Sequence, residues 1–218
     1  MIVLSPDELV DTPLAWPVES SAVLARGAIT RYLQDQVRMP DGNLIIREYL
    51  EHPGAVGVIA LDDHDRVALV RQYRHPVRHR LIEPPAGLLD VGGEDYLPAI
   101  QRELAEEAGL AAGNWAVLVD LFTTPGILGE SLRIYLARDL EPVDGPDGYI
   151  REGEEAHMDL VWASLDDLVV AVLAGSLHNP TTVSGVLAAW TARQRDGYTS
   201  LRPATAAWPA HEAIKASN

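Results

Sequence analysis

Residues 87–110 read Gly87-Leu-Leu-Asp-Val-Gly-Gly-Glu-Asp-Tyr-Leu-Pro-Ala-Ile-Gln-Arg-Glu-Leu-Ala-Glu-Glu-Ala-Gly-Leu, a glycine-rich loop feeding one short helix. Pro98 suits a first helical turn, where a missing N–H is tolerated. Glu94 and Asp95 lie near the positive end of the helix dipole, and Gly109 fits a left-handed closing position. Leu97, Ile100, Leu104 and Ala108 recur at helical spacing as an apolar stripe. At about 100° per residue, Glu103, Glu106 and Glu107 share one edge beside that stripe, and Arg102 falls just outside it. Like charges three and four residues apart weaken a helix by a few tenths of a kcal/mol per pair, so something should offset their repulsion. A solvated acidic face is the ordinary explanation of such a run. The chemical one is Mg²⁺ or Mn²⁺, hard cations that take oxygen ligands, and the loop in front favours it.

Read in order, the stretch resembles the signature box of the Nudix hydrolases: a glycine, five residues, a glutamate, seven residues, then Arg-Glu-apolar-x-Glu-Glu-x-Gly-apolar. From Glu94 onward every fixed position is met, by Arg102, Glu103, Leu104, Glu106, Glu107, Gly109 and Leu110. Six residues instead of five separate Gly87 from Glu94. The runs Asp35-Gln-Val-Arg-Met-Pro, Arg47-Glu-Tyr-Leu-Glu-His-Pro-Gly-Ala, Gln72-Tyr-Arg-His and Glu83-Pro-Pro-Ala-Gly-Leu-Leu-Asp carry the resemblance further, toward ADP-ribose pyrophosphatases of the actinobacterial type, which share the longer loop.

That resemblance implies Mg²⁺-dependent hydrolysis of ADP-ribose to AMP and ribose 5-phosphate, with Mn²⁺ as an alternative ion. Another ADP-sugar, a dinucleotide or an oxidised nucleotide is the rival substrate, and a module that senses ADP-ribose without cleaving it is the rival class. Glu103 and Glu107, at i and i+4, can ligate a divalent ion together; Glu106 joins through a second ion or a bridging water, and relatives add the backbone carbonyl at Ala86. Arg102 is expected to pair with Glu94 as a structural brace. By the resemblance, the base that takes the proton of the attacking water lies on the acidic loop 151–157, with Glu154 first, in that role or completing a metal site, and Glu152 second. His157 reads as the start of a strand, with no second nitrogen nearby for zinc. Arg47 and Arg74 stand where relatives hold the diphosphate or terminal ribose, a task suited to a planar fork. Glu83 is grouped with them, and alternatively stabilises its strand or a dimer contact. Tyr32 is a candidate for stacking on adenine, with packing as its rival role. Pro125, Gly126 and Glu130 are candidates for lining the same cleft, whereas Gly129 stands where relatives often carry an acid or serine. No nucleophile-elbow pattern surrounds any serine.

Outside the box, the chain of 218 residues allows one main domain with an appendage. Its 32 acids against 17 bases leave a net charge of −15, which disfavours nucleic acid and anionic membranes as partners. With no cysteine, and a leader lacking both a basic region and a long apolar run, a cytoplasmic setting is expected. Residues 1–53 read as an irregular leader and a strand-rich subdomain, to which the resemblance assigns homodimerisation. Residues 54–200 read as the hydrolase domain, and 201–218 as a tail that Trp208 could pin. Strand patterns cover 43–51, 55–61, 66–73, 80–83, 115–122, 131–137 and 157–162. Helical patterns cover 165–174 and 181–195, the second entered through His178-Asn179-Pro180. Strands and helices interleave without regular alternation, so an α+β sandwich with a mixed sheet between helices is expected, the same architecture that the Nudix resemblance implies.

Overall fold

The computed structural model describes residues 1–144 and 158–216. In chain order its first strands are β1 (Val18–Arg26), β2 (Arg31–Arg38), β3 (Leu44–Glu51), β4 (Ala55–Ala60), β5 (Arg66–Arg74), β6 (His79–Glu83) and β7 (Ala86–Leu88), followed by helix α1 (Tyr96–Ala108). Strands β8 (Leu110–Phe122), β9 (Leu128–Gly129), β10 (Ser131–Pro142) and β11 (Asp159–Ser164) come next. Helices α2 (Leu165–Leu173) and α3 (Pro180–Asp196), the short β12 (Arg202–Pro203) and α4 (Pro209–Lys215) complete the order.

Two compact units emerge. The first comprises Met1–His52, Gly126–Gly129 and the segment from Trp208; the second comprises Pro53–Pro125 and Glu130–Ala207. In the first, β1, β2 and β3 form an antiparallel meander and β9 adds to β3 in parallel. The turn at 39–43 follows from its residues: Gly42 takes φ +87°, and the Asp41 carboxylate accepts from the Asn43 amide at 3.0 Å. No helix is legible in the tail, yet α4 forms there, and Trp208 is buried just ahead of it. Seven residues are too few for a hydrophobic period to register.

The second unit holds a mixed five-stranded sheet, β12-β8-β10-β4-β7, in which β4 and β10 run parallel and the other pairs antiparallel. A second, antiparallel sheet runs β11-β5-β6. Strand alternation sends the two sides of β4 to different helices. Gly57 and Ile59 meet α3, where a Cβ on Gly57 would lie 2.6 Å from Thr181 Cγ2 and one on Gly185 would lie 2.8 Å from Ile59 Cδ1. Val56, Val58 and Ala60 point the other way and are fully buried; α1 packs against β4, β7 and β8. The main core gathers Ile59, Leu61, Leu69, Leu118, Ile134, Leu136, Leu165 and Val186. Helix signals sit where the sequence puts them: Ser164 caps α2, and Asn179 accepts from the Thr182 amide at 3.0 Å to cap α3, whose first residue is Pro180. This is the α+β sandwich expected from the sequence.

Candidate active site

Helix α1 is entered through Asp95 in extended conformation and closed by Gly109 at φ +63°, ψ +36°, whose amide returns to the Ala105 carbonyl at 3.0 Å. Ala99, Ile100, Leu104 and Ala108 are buried, which sets the helix's rotation. Glu103, Glu106 and Glu107 then fall along one edge, on which Glu103 lies against Gly87 and Glu107 against Ala86 of β7.

Each acid has a defined partner. Glu107, only 7% exposed, accepts from the Ala86 amide at 3.0 Å, so the helix is stitched to the first residue of β7. Arg102 reaches three carboxylates at once. Its Nε and Nη2 each donate to Glu94 at 3.2 Å, while Nη1 lies 2.8 Å from Glu103 Oε1 and 2.9 Å from Glu106 Oε2. The Glu94 hydrogen bonds, followed by the Coulomb fields of Glu103 and Glu106, raise the pKa of the guanidinium against the opposing effect of its partial burial. The brace expected between Arg102 and Glu94 is therefore present and extends to two box carboxylates. The longer loop makes an exposed turn at 90–93, where Gly93 takes φ +84° and the Glu94 amide donates to Val91 O at 3.2 Å.

Gly87 has a role that its place in the pattern did not explain: a Cβ built on it would overlap the Glu103 carboxyl group. The carboxylate lies directly on the loop backbone, and only a glycine leaves that space. Because the obstructed group is the end of a flexible side chain, Gly87→Ala is expected to fold normally while turning Glu103 aside. Divalent-ion affinity, measured by titration calorimetry, should fall roughly 10–100-fold, the range typical for losing a group that orients a ligand.

The donor set, three carboxylates beside the backbone at Ala86 and Gly87, suits a hard divalent cation. Among the described residues, however, no three acid or histidine side chains are already arranged around a shared ion position. The partners just named supply the reason: Arg102 draws Glu103 and Glu106, and the Ala86 amide draws Glu107.

Arg74 and Glu83 are brought together. On neighbouring strands β5 and β6 they form a forked ion pair, Nη2 to Oε2 at 2.6 Å and Nε to Oε1 at 3.0 Å. Glu83 is 3% exposed and the Arg74 side chain 43%, so a buried acid aims a cation whose head still meets solvent. Arg47 lies exposed on β3 in the first unit, its Nη1 donating to the Ile46 carbonyl at 3.0 Å. Tyr32, in the same unit, gives its hydroxyl to Glu48 at 2.9 Å. Thr123 and Glu130 hydrogen-bond through their side chains. Glu152, Glu154 and His157 lie outside the described residues. Sequence reasoning missed the charged fork Arg133–Asp120, at 2.8 and 3.0 Å, and the Glu107–Ala86 contact.

The NUDIX domain pattern matches residues 51–182, more than half of the chain, and the chain belongs to that family. Among its relatives, an ADP-ribose pyrophosphatase of Mycobacterium tuberculosis is 44% identical over 87% of this chain and 89% of its own length. A methanol dehydrogenase activator of Bacillus methanolicus is 31% identical over 73% of this chain and 84% of that protein. A solved structure described as an ADP compounds hydrolase superposes with a TM-score of 0.65 at 21% identity, covering 85% of this chain and 99% of that one, a likeness of fold.

Proposed function

We propose that the protein hydrolyses ADP-ribose, adding water across the diphosphate to release AMP and ribose 5-phosphate in a reaction dependent on Mg²⁺, or Mn²⁺ in its place. The observation that carries this reading is the complete set of box carboxylates: Glu103, Glu106 and Glu107 on α1, with Glu94 in the loop just before it, joined to the helix through Arg102. A module that only senses the nucleotide has no need to keep all four. The substrate comes from the name of the mycobacterial relative.

Glu103, Glu106 and Glu107, with the Ala86 carbonyl, would hold the ion. Bound there, a divalent ion neutralises phosphate charge and lowers the pKa of water. The rest falls to the chain. Arg74, aimed by Glu83, and Arg47 supply cations for the diphosphate; Glu154, or failing it Glu152, accepts the proton of the attacking water. Homodimerisation belongs to the same proposal: β1 is exposed along its whole length, and Val18, Val23, Leu24, Leu44 and Ile46 of the first unit are exposed apolar side chains. Among the described residues, no helix is long and apolar enough to cross a membrane.

Turnover across ADP-ribose, other ADP-sugars, a dinucleotide, an oxidised nucleotide and a nucleoside triphosphate tests the substrate. AMP and ribose 5-phosphate should appear fastest from ADP-ribose, and preference for the triphosphate would overturn the assignment. Hydrolysis unchanged in Glu103→Gln, with ADP-ribose still bound, would overturn the catalytic role of the box.

A further inference from the structure

Arg102 occupies the edge on which the proposed ion depends. Its Nη1 sits between Glu103 and Glu106 at 2.8 and 2.9 Å, while Nε and Nη2 hold Glu94. A divalent ion bonded to those two carboxylates at about 2.0–2.1 Å would stand within a few ångströms of a guanidinium whose charge does not titrate away. The two cations repel strongly at that range. They cannot both occupy the space between Glu103 Oε1 and Glu106 Oε2.

We propose that Arg102 is an exchangeable counter-ion: it holds Glu103 and Glu106 ready in the arrangement described here and withdraws to Glu94 alone when a divalent cation takes them. The proposal rests on the metal-dependent reading above and adds to it a residue that sets the ion's affinity. The geometry makes the exchange small. Two of the three guanidinium nitrogens already face Glu94, so moving the side-chain end releases Nη1 without shifting the helix. Glu94 itself follows an exposed Gly92-Gly93 turn, which lets it track the guanidinium. Before exchange, Arg102 offsets the mutual repulsion of acids at i, i+3 and i+4; after it, Glu94 receives the positive charge. Glu94 would thus promote ion uptake without touching the ion. A static brace between Arg102 and Glu94 makes no such demand.

A double-mutant cycle separates the two. Mn²⁺ uptake by the full chain is measured from the loss of the free-ion electron paramagnetic resonance signal, in wild type, Arg102→Met, Glu94→Gln and the double variant, with circular dichroism to confirm folding. Arg102→Met should bind Mn²⁺ about tenfold tighter, the scale of a charge-assisted contact. Glu94→Gln should bind about tenfold more weakly, because the guanidinium has nowhere to go. The double variant should match Arg102→Met, since Glu94 has lost its role. Arg102→Lys gives a parallel cycle should the methionine variant not fold: a compact ammonium cannot span all three acids, so the Glu94→Gln effect should shrink. Equal weakening by Glu94→Gln with and without Arg102 overturns the exchange, as does unchanged or weaker uptake by Arg102→Met. If wild type takes up Mn²⁺ in such a case, the metal-dependent reading stands; if neither wild type nor Arg102→Met takes up any, that reading falls as well.

Discussion

Glu107→Gln is expected to lower kcat/KM for ADP-ribose by roughly three orders of magnitude while leaving the fold intact. The two halves of that statement come from two properties of one carboxylate. As an acceptor, Glu107 satisfies the half-buried Ala86 amide, and a glutamine carbonyl can accept the same bond at the same length. As a charge, it helps hold the divalent ion, whose stabilisation of the transition state is worth several kcal/mol, or about 10³ in rate. Glu107→Leu removes both. It should be as inactive as the glutamine variant but also less stable by about 1 kcal/mol, because the half-buried Ala86 N–H loses its acceptor. Steady-state kinetics and denaturant melts on the pair separate the roles. Near-wild-type activity in Glu107→Gln would show that this carboxylate is structural only.

How much of this site could be read in advance depends on the distance over which each interaction acts. The helix was legible because its determinants are local: Pro98 and Gly109 at the ends, an apolar stripe between them, acids on one edge. The Glu94–Arg102 pair was legible because the family pattern spaces it. The wider reach of Arg102 was within sight, since i+1 and i+4 acids lay beside it, but a sequence does not say how one guanidinium divides itself among three carboxylates. The Arg74–Glu83 fork needed the direction in which the Arg74 side chain lies along the sheet, since the β5–β6 register sets Arg74 opposite His79 and Glu83 opposite Val70, and Glu107's bond to Ala86 needed the path of the loop after β6. Neither follows from composition or period. The same limit applies to the fold: long strands such as β4, β5 and β10 stand out as apolar runs, whereas β9 and β12, of two residues each, carry no pattern of their own.

Arg133 shows the limit most clearly and leads to the other large effect. It lies on β10 directly opposite Asp120 of β8, a pairing set by strand register across 13 residues. Fully buried, it donates to both Asp120 oxygens at 2.8 and 3.0 Å, to the Ala206 carbonyl at 2.6 Å and to the Ala207 carbonyl at 3.0 Å. The rings of Tyr96 and Tyr135 stand 5.9 and 6.0 Å from its guanidinium carbon. Breaking a buried ion pair by deleting one partner costs about 3–5 kcal/mol, since the remaining charge is stranded. Here Asp120 keeps Arg202 at 2.8 Å, which compensates part of its charge and places Arg133→Met near about 3 kcal/mol. For a chain of this size that is a fall in Tm of roughly 6–12 °C. Replacing both partners, Arg133→Met with Asp120→Leu, removes the stranded charge and should restore about half of the loss. Arg202 is left without its acid, but its side chain is half exposed and water can replace that partner. If the double variant melts below Arg133→Met, Asp120 stabilises the fold through Arg202 more than its stranded charge costs; if the two melt together, the bonds to Ala206 and Ala207, lost in both, account for the cost of removing Arg133.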